Sequence, residues 1–125
     1  TRENLKFFVG RNMVNLCQGR SDSKNILDKF AEESVDYVMI DGAHEYEPVR
    51  DDIINWWPKL KKDGVMFGDD VELTSVLEGM KAGLRDRGMP TYGTNNGREQ
   101  TWYCTKNGEN QGLEKLIPGV NVLHE

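Results

Sequence analysis

Four residues stand where this sequence could do chemistry: Asp41, His44, Asp69 and Asp70. Asp41 closes the apolar run Val35–Ile40, and His44 follows three residues later in Asp41-Gly42-Ala43-His44. Asp69-Asp70 closes a second apolar run, Val65-Met66-Phe67-Gly68. If the two runs are neighbouring strands, three carboxylates converge on one volume. They repel one another there unless a cation neutralises them. An all-oxygen set suits Mg²⁺ or Ca²⁺, with water in the remaining positions. The same residues have a plainer use, since Asp caps turns and helix starts. His44 also has two uses. Over the crevice, an imidazole can take a proton near neutral pH. Otherwise it caps the next helix or packs on Tyr46. Spacing alone leaves both open.

Other conspicuous side chains read as packing. Trp56 falls on a helical apolar stripe, and Trp57 lies near the end of that helix. Trp102 and Tyr103 alternate across a strand. Lys59-Leu60-Lys61-Lys62 reads as a solvated helix end, not a nucleic-acid patch.

The elements that must position these residues follow from periodicity. Leu5, Phe8 and Val9 share one face of a helix over 2–13. A short strand at 14–17 ends in Gln18-Gly19, followed by Arg20-Ser21-Asp22. Ser21-Asp22-Ser23 can cap a helix whose apolar face is Ile26, Leu27, Phe30 and Ala31. The run 35–40 is nearly continuous in apolarity, as a strand covered on both faces would be. Glu47-Pro48 opens a helix with Pro at its first position. Its stripe is Tyr46, Val49, Ile53, Trp56 and Leu60, and Lys61-Lys62-Asp63-Gly64 ends it. After the strand 65–68 comes a helix carrying Leu73, Val76, Leu77, Met80 and Leu84. The strands 91–94 and 100–105 form a hairpin around Asn95-Asn96-Gly97. Beyond Asn107 the pattern fades.

Strands alternating with helices predict an α/β fold, mostly parallel, with an antiparallel hairpin at the C-terminal side. In open sheets of this kind ligands bind beyond the carboxyl ends of the strands. The length, 125 residues, suits a single domain over 1–125. Twenty-one acidic against 16 basic residues leave a net charge of -5, which argues against nucleic-acid and anionic-membrane partners. No apolar run approaches the ~20 residues of a membrane span, and no signal-peptide pattern opens the chain. Cys17 and Cys104 lack metal-ligand spacing and sit in strand-like runs. Buried free thiols in a reducing, cytoplasmic compartment are expected.

Residues 35–70 resemble class I S-adenosylmethionine-dependent methyltransferases. The branch is the small, often metal-dependent O-methyltransferase group that includes catechol, caffeoyl-CoA and macrocin-type enzymes. The likeness rests on Ile-Asp-Gly-x-His-x-Tyr at 40–46, Trp-Pro-x-Leu-Lys at 57–61 and Gly-Asp-Asp at 68–70. It extends over 14–70 and weakens towards 106. It implies a partial Rossmann-like sheet and an S-adenosylmethionine cofactor. It also implies Mg²⁺ or a similar divalent cation on Asp41, Asp69 and Asp70, which would chelate the substrate. His44 falls where catechol-type members place a lysine general base. Gly19, Ser21 and Asp22 fall where such enzymes touch the adenine, and Asp41 and Gly42 fall beside the cofactor. The implied chemistry is methyl transfer from a sulfonium to a hydroxyl of a small-molecule acceptor.

The family's first two strands, with their Gly-rich loop and ribose-binding acid, have no counterpart in this sequence. The chain thus corresponds to the C-terminal two-thirds of such a domain, with 14–17 as the family's third strand. Its cofactor pocket keeps the adenine side and loses the methionine and ribose side, so weak or absent affinity for S-adenosylmethionine is expected. An uncovered strand at 35–40 predicts a homodimer or higher oligomer. Two functions compete: a metal-assisted O-methyltransferase, and a non-catalytic binding or assembly module derived from one. A phosphoacceptor receiver domain also uses strand-end acids, but needs the acidic pair before the single acceptor, the reverse of the order here.

Overall fold

A computed structural model describes residues 2–95 and 97–107. Its strands are β1 (Val35–Ile40), β2 (Leu60–Gly68), β3 (Thr91–Asn95) and β4 (Arg98–Thr105), in the sheet order β1-β2-β4-β3. β1 and β2 run parallel, while β2 with β4 and β3 with β4 run antiparallel. The fold is α/β, but the sheet is mixed and not mostly parallel. The cause is the segment 14–17, which forms no strand: Val14 is half-buried, and Leu16 and Cys17 are exposed. Four residues interrupted by Asn15 bury too little apolar surface to offset the entropy of ordering them. One crossover therefore remains between parallel neighbours, and the hairpin strand β4 takes the place beside β2.

The helices are α1 (Arg2–Val9), α2 (Lys24–Leu27), α3 (Tyr46–Trp56) and α4 (Thr74–Leu84). α3 and α4 pack together on one face of the sheet. Val49 and Ile53 from α3, and Val76, Met80 and Leu84 from α4, join Val38, Ile40, Met66, Trp102 and Cys104 in the core. The two helices approach closely because α4 carries Gly83 at the crossing. A Cβ there would stand 2.8 Å from the Cβ of Ile53. The opposite face of β1 is bare: Tyr37 and Met39 are each 54% exposed, while Val38 and Ile40 are buried. The expectation of a strand covered on both faces is thus corrected for β1.

Smaller differences have local causes. α1 ends at Val9 and leaves Phe7 and Phe8 exposed. α2 is a single turn that buries Ile26, with Phe30 set edge-on against Trp56 at 5.0 Å. Ser23 precedes it, but its hydroxyl donates to the Arg20 carbonyl and caps no helix N–H. Pro48 is the third residue of α3, still within the turn whose N–H groups have no helical partner. Pro58 converts the end of α3 into a 3₁₀ turn, Trp57–Lys59, so Leu60 opens β2 and is fully buried there. The stretch 61–64 lies inside β2 and does not end the helix. Cys17 is exposed, contrary to expectation, and Cys104 is buried; both are free thiols. The hairpin forms as expected, with Asn95 paired to Arg98 and Gly97 at φ +76°. Asn96 and the chain beyond 107 lie outside the described residues. No helix among those described is long and apolar enough to cross a membrane.

Candidate functional site

The parallel register pairs Ile40 with Gly68, so β1 and β2 end level. Asp41 and Asp69-Asp70 therefore leave the sheet at the same edge. Gly68 permits this fit, because a Cβ would stand 2.5 Å from Nε1 of Trp102 and 2.7 Å from the Ile40 carbonyl oxygen. Asp70 lies in the left-handed region at φ +61°, which an Asp side chain tolerates better than most. It faces the loop after β1, and Nε2 of His44 lies 2.9 Å from Asp70 Oδ2. The His44 carbonyl accepts a 2.6 Å hydrogen bond from the Ser75 hydroxyl, which ties this loop to the start of α4.

One ligand atom each from Asp41, His44 and Asp70 lies within 4.8 Å of the others. The structure thus gathers two carboxylates and an imidazole, where the sequence suggested three carboxylates. The third, Asp69, accepts a 2.9 Å hydrogen bond from the Asp70 N–H. Two oxygens and a nitrogen fit a divalent cation, and the imidazole widens the range from Mg²⁺ and Ca²⁺ towards Mn²⁺ or Zn²⁺. The crevice between the trio encloses about 10 Å³, room for a water or an ion. The body of an organic ligand does not fit inside it.

The space for one adjoins the trio. A groove of about 440 Å³ runs along β1, lined among others by Ser21, Phe30, Met39, Gly42, Asp52 and Trp56. Ser21 is anchored twice to α3. Its hydroxyl donates to Asp52 Oδ1 at 2.6 Å, and its carbonyl accepts from the Trp56 indole at 3.2 Å. Burial holds the Asp52 carboxyl above its usual range, and the nearby Asp22 and Asp51 charges add to this. The Ser21 hydrogen bond works against it. Asp22 is engaged by Arg20 through two bonds of 2.9 and 2.8 Å, which hold its carboxyl below the usual range. Gly19 sits at the start of this loop at φ +156°, where a Cβ would meet the Ile26 side chain at 3.1 Å. At Gly42 a Cβ would stand 3.8 Å from Asp52 Oδ2.

Sequence reasoning missed Asp52. It stands beside the apolar stripe of α3, one position before Ile53 and one turn before Trp56. That spacing puts Asp52 and Trp56 on the same side of the helix. A polar residue flanking a stripe was the available signal. A second groove of about 430 Å³ lies at the other end of β1, where Lys61 and Asp36 already pair at 2.8 Å.

A family model for a methyltransferase domain matches residues 3–71, more than half of the chain. The matched span holds positions 19–22, 41–44 and 69–70. Among curated proteins none matches.

Proposed function

The chain belongs to the methyltransferase-domain family, and from that premise we propose that it is an S-adenosylmethionine-dependent methyltransferase acting on the hydroxyl of a small molecule with a divalent cation's help. The observation that carries the reading is the meeting of Asp41, His44 and Asp70 at the level ends of two strands, beside an open groove. When bound, the cofactor supplies an electrophilic methyl group and the cation a Lewis acid that acidifies the acceptor hydroxyl. In this reading Ser21 and Gly42, which line the groove, receive the adenosyl end, with Gly19 and Asp22 beside them in the loop that carries Ser21. Asp41 and Asp70 would hold the cation, with Asp69 as the third carboxylate once it turns from the Asp70 amide. In this reading His44 is the base and not a ligand, so carboxylates alone hold the cation. Asp70 lies against Nε2, which leaves Nδ1 as the nitrogen that would take the acceptor hydroxyl's proton. The Asp70 carboxylate then stabilises the imidazolium. A thermal-shift titration with S-adenosylmethionine, with and without Mg²⁺, tests the reading. The expected result is stabilisation by the cofactor that grows with the cation. No response to either would contradict it.

A second reading, a non-catalytic binding or assembly module, is favoured by one observation. Tyr37 and Met39 project from an edge strand with no neighbour on its free side among the described residues. In both readings a second copy of the chain pairs with the free backbone edge of β1, giving a homo-oligomer. Light scattering that reports a dimer or larger supports this, and a monomer at tens of micromolar would refute it.

A further inference from the structure

The half-buried carboxylate of Asp52 has no part in the chemistry assigned to Asp41, His44 and Asp70, yet it lines the groove beside them. It lies between two segments that the sequence separates. On one side it accepts the Ser21 hydroxyl, 31 residues earlier in the chain, at 2.6 Å. On the other it faces Gly42. The Trp56 indole, one helical turn on, holds the backbone of the same serine at 3.2 Å. Within the loop, the Ser23 hydroxyl and amide both donate to the Arg20 carbonyl; residues 17–22 are exposed, Ser23 is half-buried, and the segment joins no strand ladder. Arg20 and Asp22 pair with each other and leave Ser21 as the tie to α3.

We propose that Asp52 is a positioning residue: together with the Trp56 indole it clamps the loop at 19–23 against α3 and so sets the wall of the groove that faces Gly42. The clamp rests on the function proposed above only for the identity of the ligand, the adenosyl portion of the cofactor. An α3 carboxylate that accepts a short hydroxyl bond is a charge-assisted tie, stronger than a neutral one. Asn at the same position retains an acceptor for the hydroxyl, while Ala leaves the serine without a partner.

Limited trypsinolysis of the full chain reads the clamp directly, because Arg20 offers an exposed cleavage site inside the loop. Cleavage after Arg85, in the turn that follows α4, serves as the internal reference. Asp52→Ala and Ser21→Ala are each expected to speed cleavage after Arg20 by about tenfold relative to the reference. The double variant should cleave no faster than either single one, and Asp52→Asn should stay within about twofold of the wild type. S-adenosylmethionine should slow cleavage after Arg20 in the wild type and in Asp52→Asn, and have little effect on Asp52→Ala. Equal cleavage after Arg20 in all variants would overturn the clamp. Equal protection by the cofactor in wild type and Asp52→Ala would overturn its role in the groove. Should Asp52→Ala fail to fold, Ser21→Ala removes only an exposed hydroxyl and decides the matter alone. If the cofactor protects no variant, the proposed function fails while the cleavage rates still decide the clamp.

Discussion

His44 and Asp70 meet across the ends of two parallel strands, the imidazole Nε2 2.9 Å from the carboxylate Oδ2. Neither residue lies in a regular element. His44 sits in the loop between β1 and α3, whose backbone the Ser75 hydroxyl holds, and Asp70 sits in a left-handed turn after β2. The pair exists because β1 and β2 end in register.

Removing His44, the base of the proposed function, should therefore separate binding from turnover. His44→Ala is expected to lower the methyl-transfer rate by about 100-fold or more while changing cofactor affinity little. Asp70→Asn should also lower the rate, and in addition weaken the response to added divalent cation. Steady-state kinetics over a range of cation concentrations check both. An unchanged rate in His44→Ala would remove it from the reaction.

Gly68 links the site to the core. A methyl group added there meets Trp102 and the Ile40 carbonyl at distances no packed structure accepts. Gly68→Ala should cost about 1–3 kcal/mol, as overpacked cores do, and should displace the adjoining Asp69-Asp70 turn. Urea denaturation gives the first quantity. The cation dependence of thermal stability gives the second.

The two thiols should behave differently. Cys17 is exposed, with Nζ of Lys29 3.8 Å from its sulfur, and Cys104 is buried. At neutral pH a chromogenic disulfide reagent should modify Cys17 rapidly and Cys104 only after denaturation. Burial pushes the Cys104 thiol from 9.0 up to about 11. The folded state thus holds this proton more tightly than the unfolded state does. Its contribution is intact below pH 9 and is lost as the pH rises towards 11, by roughly 2 to 3 kcal/mol in all. Denaturation midpoints from pH 8 to 11 should fall more steeply for the wild type than for Cys104→Ala.

Much of this architecture was legible in the residues. The 3.6-residue stripes of α3 and α4 placed Val49, Ile53, Val76 and Met80 in the core, and the period-two hairpin was visible around Gly97. The strand ends placed Asp41 and Asp70 together. What the pattern missed depends on tertiary partners. The run 14–17 has the composition of a strand but pairs with no neighbour. The stripe residue Leu60 continues the helical spacing but follows Pro58, which turns the chain into β2. Side-chain direction was equally hidden: Asp69 bonds to the next amide, and His44 takes its place in the trio. Asp52 escaped notice because its role rests on Ser21, a contact that no local pattern encodes.

The most direct measurement is a titration of the ¹⁵N-labelled protein with S-adenosylmethionine, followed by two-dimensional amide spectra. It locates even weak binding residue by residue. The expected result is that the amides of Ser21, Asp22 and Gly42 and the indole N–H of Trp56 shift progressively, with those of Asp36 and Lys61 at the far groove unmoved. Spectra that stay unchanged at millimolar cofactor, or that move only at the far groove, would contradict the assignment of this site.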